Sequence, residues 1–366
     1  SGLTVGAEKA WKYAEDAGIP KMIFINKVDD ERVNYYGVLE QLREKYGKRI
    51  APFQVPIREG DTITGFVNVV EGEARKFDGN RTITAAMPEG MDEEIAPVRE
   101  MINEAVAESS EELMEKYFAG EPFTPEETYA ALRAGVAAGD IVPVLCGSAY
   151  NKLGISSLMN AIGAYFPASD ASEEFFIAKK ADGSDARRKV SVNDPLAALV
   201  FKTVADPYVG RLSYFKVYSG IMTPDTTVYN SVTESNERIG KIYALVGKKQ
   251  VEVEKLNAGD IGAVTKLANT GTGDTLCSVT DRVVIDGIDF AKPNTALAAV
   301  PKAKGDEDKI SQGLSKLTDE DKTFEIENNS ETHQTLIRGM GEQHIDILVS
   351  KLKNKFGVEV SLTEPK

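Results

Sequence analysis

Cysteine, histidine and tryptophan are scarce in this 366-residue chain, which has two, two and one of them. Cys146 and Cys277 lie 131 positions apart, and with only His333 and His344 besides there is no metal-ligand spacing, so neither a disulfide framework nor a metal site is expected. No apolar run approaches about 18 residues and nothing at the start resembles an export signal, which argues against a membrane span and for a soluble, cytoplasmic, reducing setting. Positive charge is in deficit: 43 Lys and Arg against 57 Asp and Glu leave a formal charge of −14. A field of that sign repels phosphate backbones and anionic lipid, which excludes a generic nucleic-acid coat. What is abundant is core material, 42% hydrophobic residues, enough for two or three domains.

The chain opens on Ser1 inside an amphipathic stretch in which Val5, Ala10, Trp11, Ala14 and Ala17 share one helical face, so sequence upstream is expected. An apolar strand, Met22 to Ile25, follows the turn Gly18-Ile19-Pro20, and a helix is predicted from about Asp30 to Tyr46. A second buried strand, Ile141 to Cys146, precedes a helix over Ile155 to Tyr165. This alternation predicts a parallel sheet, of which two strands are visible, built from residues 1–48 and 140–168. Residues 49–139 read as an insertion with short strands such as Gly65 to Val70 and one long helix whose face is Ile95, Val98, Ile102, Ala105, Ser109, Leu113 and Tyr117. The polar stretch 169–193 reads as a linker and hairpin. Short alternating runs across 194–285 (Leu196–Val200, Arg211–Tyr218, Thr227–Asn230, Arg238–Ala244, Val251–Lys255, Ile261–Leu267 and Thr275–Cys277) predict a small antiparallel β-barrel. Residues 286–366 read β-α-β-β-α-β, the split order of a ferredoxin-like sandwich.

The acidity is concentrated. Asp92 to Glu127 holds 12 acidic and 2 basic residues, which is either a solvated helix face or a docking surface for a basic partner.

Chemistry is carried by two loops at the carboxyl ends of the predicted strands. Asn26-Lys27-Val28-Asp29 follows the first. A carboxylate there accepts two hydrogen bonds from the N1–H and exocyclic amine of guanine, a donor pair that adenine lacks. Asp29 takes that role, with the Lys27 stem over the base plane and the Asn26 amide bracing the loop. The plainer reading is a charged turn in which Asp29 caps the next helix. Gly147-Ser148-Ala149 follows the second strand. If the strands are neighbours, the Ala149 amide donates to the guanine 6-oxo group and Ser148 shapes the turn.

These loops, together with Ala205-Asp206-Pro207-Tyr208-Val209-Gly210-Arg211-Leu212, Gly273-Asp274-Thr275-Leu276 and Gly339-Met340-Gly341-Glu342-Gln343-His344, resemble the elongation factor G family of translational GTPases nearly end to end. The resemblance implies a multidomain α/β, β and α+β chain: part of a P-loop-GTPase-type parallel sheet with an inserted subdomain, a β-barrel domain and a ferredoxin-like domain. It implies GTP or GDP with Mg²⁺ as the ligands of the parent protein, the ribosome as partner, and contact between the acidic insert and the ribosomal stalk protein. GTP-driven translocation of tRNA and mRNA is the expected role. Ribosome protection, release-factor recycling and nonenzymatic ribosome binding are the alternatives. Asp30 stands where the family has Arg, and Gln343 where it has Leu, which points to a divergent paralogue.

Other parts of the family pattern do not occur between Ser1 and Lys366: the Gly-Lys-Thr phosphate loop and the Asp-x-Pro-Gly-His switch. The expectation is therefore a central fragment that neither hydrolyses GTP nor holds it in the micromolar range, because the phosphate contacts are charge-assisted and strong. An apolar edge at Met22 to Ile25 is expected to favour self-association, disorder or rearrangement near the first residues. His344 is expected to serve helix packing, and Lys351, Lys353 and Lys355 either touch ribosomal RNA or complement the helix dipole.

Overall fold

The computed structural model describes residues 2–60, 62–79, 81–169, 176–206, 210–247 and 249–366. They fall into two compact units, Ser1–Pro167 and Ala168–Lys366. The first unit is organised by a three-stranded parallel sheet in the order Ile23–Ile25, Val142–Cys146, Ile50–Pro52. The central strand is buried along its whole length, as a strand covered on both faces must be. Ile50–Pro52, expected within the insertion, is a sheet strand instead; three residues are too few to show a period. Among the described residues, Ile23–Ile25 pairs on one side only.

Two helices flank that outer strand. Val5–Asp16, capped by the Thr4 hydroxyl, buries none of its residues. It is held by Trp11, which stacks on Tyr46 at 3.7 Å under the cations of Lys21 and Arg49. Tyr35–Tyr46 is capped by Asn34 and buries Tyr35, Leu39 and Leu42. It starts later than expected because the Asp30 carboxylate binds both the backbone and the guanidinium of Arg32, a local turn that competes with helix.

The insertion is a four-stranded antiparallel meander followed by helices Met91–Ala107, Glu111–Phe118 and Pro125–Ala138. The single long helix expected here is two. Ser109 turns its hydroxyl back to the Val106 carbonyl and Ser110 caps the next helix at the Leu113 amide, so adjacent serines stop one helix and start another. Ile95, Val98 and Ile102 share a core with Leu132, Val136, Val142 and Val144, which welds the insertion to the parallel sheet.

In the second unit, a hairpin of Phe176–Lys180 and Asp185–Arg188 pairs with Val283–Ile285, while 170–175 of the expected linker lie outside the described residues. An eight-stranded antiparallel sheet forms the barrel, its core built on Val200, Phe215, Ile242 and Leu276. Arg238–Ala244, expected as one strand, splits into Ser235–Arg238 and Ile242–Val246 around the buried Ile239. Positions 207–209 of the family-like stretch 205–212 lie outside the described residues.

The last four strands form an antiparallel sheet in the order Glu325–Asn329, Gln334–Gly339, Thr295–Pro301, Val360–Thr363, the ferredoxin-like arrangement, with helices Glu307–Glu320 and Glu342–Phe356 contributing to one core. The first of these helices ends against the barrel. Its Glu320 side chain, 7% exposed, accepts from the Ala205 amide at 2.7 Å and pairs with Lys355 at 2.5 Å. Asp319 beside it pairs with Arg211 at 2.5 Å. Lys351 lies 3.9 Å from Glu320 and Lys353 pairs with Glu359, so all three lysines considered for RNA contact are occupied within the protein.

His344 does have a partner. Its Nδ1 accepts from the Met340 amide at 3.0 Å, which leaves the proton on Nε2 for Asp321 Oδ2 at 2.9 Å. Burial pushes the Asp321 carboxyl up, but hydrogen bonds from Thr323 and His344 outweigh it and hold the group below its ordinary 3.8. A depressed carboxyl contributes stability above its unfolded value that is lost as pH falls through the folded one. Thermal unfolding should therefore show wild type losing stability below about pH 4, and Asp321→Asn losing less over the same acid range.

Candidate functional site

Parallel pairing places Ile23 opposite Val144 and Ile25 opposite Cys146, so both strands end at the same level and deliver their loops side by side. Backbone bonds continue past the strands: Gly147 N–H donates to Ile25 O at 3.1 Å and Val28 N–H to Gly147 O at 3.2 Å. Val28 is fully buried and anchors the first loop, while the Arg58 guanidinium donates to its carbonyl. Gly147 is demanded by sterics, since a Cβ there would lie 2.3 Å from Leu153 O and 2.7 Å from the Phe24 ring.

Asn26 is the brace. Its Oδ1 accepts from Lys27 N–H at 2.8 Å and from Ala149 N–H at 2.9 Å, which ties one loop to the other. Lys27 takes a left-handed φ of 61° and is exposed beside a groove of about 600 Å³ lined by Thr4, Phe24, Asp30, Arg32 and Leu42. The Arg32 guanidinium holds the Asp30 carboxyl well below the usual carboxylate range. Ser148 is buried, forms a two-bond antiparallel bridge with Leu153, and accepts from Asn151 N–H at 3.3 Å.

Asp29 Oδ2 accepts from Asn151 Nδ2 at 2.7 Å, whereas its Oδ1 is buried with no partner. The orphaned acceptor is sealed from solvent in this pose, so it reaches a guanine only when the carboxylate turns. The Ala149 amide differs from expectation: it is engaged by Asn26, so its donation to a 6-oxo group requires that this bond be shared or released. The bonds from Ala149 to Asn26 and from Asn151 to Asp29 hold the two loops together, with Lys27 exposed and Ser148 buried. Asn151 escaped the sequence reading because a polar loop residue carries no sign of a carboxylate so distant in the chain.

Cys146, directly before this loop, is completely buried, and that burial pushes its thiol up. Among the described residues no group of three or more His, Cys, Asp or Glu is placed to hold a metal ion, and no helix is long and apolar enough to cross a membrane.

Residues 1–168 match the elongation factor Tu GTP binding domain, 195–279 match elongation factor G domain 2, and 290–364 match elongation factor G domain III. The chain carries an elongation factor Tu-type GTP-binding domain followed by two elongation factor G-type domains. A crystal structure of ttk003000868 from Thermus thermophilus superposes with a TM-score of 0.83 at 29% identity, covering 100% of this chain and 52% of that one. The chain therefore spans about half the length of that relative.

Truncating the brace leaves the Lys27 and Ala149 amides without their acceptor. Asn26→Ala should cost about 1–2 kcal/mol in chemical denaturation and speed hydrogen exchange at Ala149.

Proposed function

We propose that this chain is the base-recognising and relaying part of a ribosomal GTPase that drives tRNA and mRNA translocation, with Asn26, Lys27, Asp29, Ser148 and Ala149 forming the guanine site. One observation carries the reading: adjoining parallel strands bring Asn26 onto the Ala149 amide and leave an acceptor of Asp29 without a partner. Asp29 accepts from the base, Lys27 lies along its plane, Asn26 and Ser148 hold the loops, and Ala149 donates. GTP and GDP bring phosphates whose contacts, with Mg²⁺, fall to residues of the Gly-Lys-Thr and switch type, which do not occur between Ser1 and Lys366. The barrel and ferredoxin-like domains, joined through Glu320 and Asp319, relay nucleotide state rather than perform chemistry.

In this reading the protein works on the cytoplasmic ribosome. The acidic helices between Asp92 and Glu127 are the docking face for a basic stalk component, and the exposed Phe118 offers an apolar contact among the charges. The one-sided strand Ile23–Ile25 is where a second copy would add a strand.

The base assignment is tested by exchanging the hydrogen-bond polarity at one position. Guanosine monophosphate at millimolar concentration should shift the amide resonances of Asn26 to Asp29 and of Ala149, while Asp29→Asn should lose guanosine and gain xanthosine monophosphate by about tenfold or more. An unchanged preference would refute the assignment. The ribosomal reading predicts co-sedimentation with ribosomes that weakens when Glu111, Glu112 and Glu115 are replaced by lysine; equal pelleting of both proteins would count against the docking face.

A further inference from the structure

We propose that Asn151 is a built-in competitor of the purine at Asp29, holding the carboxylate in a self-satisfied pose that a base must displace. This inference rests on the assignment of Asp29 as the base acceptor. A guanine presents two parallel donors and needs both carboxylate oxygens turned outward. Here neither is free in that sense: Oδ2 accepts from Asn151 Nδ2 at 2.7 Å, and Oδ1 is sealed from solvent without a partner. Rotation about the Cβ–Cγ bond that brings Oδ1 to the surface draws Oδ2 away from Asn151. Binding the two-donor base therefore costs the protein one charge-assisted hydrogen bond.

Asn151 is well placed to act this way because its backbone is fixed. Its N–H donates to Ser148 Oγ at 3.3 Å, Ser148 is locked by its bridge to Leu153, and the next residue, Lys152, takes a left-handed φ of 61° that closes the turn. Tyr150, between the turn and solvent, is 92% exposed and contributes no packing that would be lost with Asn151. The Ala149 amide is restrained in the same manner by Asn26, and both bonds run between the two loops.

The competition distinguishes bases by donor count. Hypoxanthine offers only N1–H, which a remaining lone pair of Oδ2 accepts without rotation of the carboxylate. Removing the competitor should therefore help guanine and leave hypoxanthine unaffected.

The test uses this chain with Asn151→Ala, titrated by guanosine and inosine monophosphates and followed through the amide resonances of Asp29 and Ala149. Guanosine monophosphate should bind about five- to tenfold more tightly to the variant, inosine monophosphate within about twofold of wild type. In the wild-type protein, guanosine monophosphate should also shift the Asn151 side-chain amide toward its solvent-exposed position. Equal or weaker binding of guanosine monophosphate by the variant overturns the competitor role while leaving the base assignment standing. Failure of guanosine monophosphate to perturb either loop in wild type and variant alike overturns the base assignment and the competitor role together.

Discussion

The parallel pairing of Ile23–Ile25 with Val142–Cys146 is the constraint on which the site depends. Its register fixes where each strand ends, and the backbone bonds from Gly147 to Ile25 and from Val28 to Gly147 carry that register into the loops. A slip of a single residue would reverse the faces of the slipping strand and separate Asn26 from Ala149. The buried central strand makes such a slip costly, because all five of its side chains lie in the core.

The insertion contributes to that rigidity although it is remote in sequence from either loop. Ile95, Ile102 and Leu132 belong to the same core as Val142 and Val144, so the acidic helices and the site-bearing strand share one packed interior. Charge and apolar burial are thereby divided between two faces of the same helices. The acidic residues lie on the outer face, and the local concentration of negative charge is tolerated because water screens it.

Much of this was legible in the sequence, and what was not has specific causes. The helices over 155–165 and 342–356 begin after glycines, Gly154 and Gly341, and lie where the sequence places them, as does the β-α-β-β-α-β order of the last domain. Ile50–Pro52 is too short for a pattern, and the break at Ser109–Ser110 hides inside an unbroken apolar face, since periodicity reports burial and not continuity of hydrogen bonding. At the site, Asn26 and Ala149 were found by residue type and their position at strand ends. Asn151 and the Asp321–His344 pair were not, because contacts between distant side chains of unremarkable type leave no local trace. The engagement of the Ala149 amide by Asn26 is a property of three-dimensional geometry alone.

Glu320 joins the end of a helix in the ferredoxin-like domain directly to main chain of the barrel, through a bond from the Ala205 amide. Lys355 grips the same carboxylate and the carbonyl of the same residue, Ala205, so acceptor and donor of one peptide neighbourhood are both taken. A linkage of this kind behaves as a stiff joint. Motion of the ferredoxin-like helices either carries the barrel strand with it as one lever arm or strips a nearly dry carboxylate of its partners, and the second course is expensive enough to make the first the path of least work.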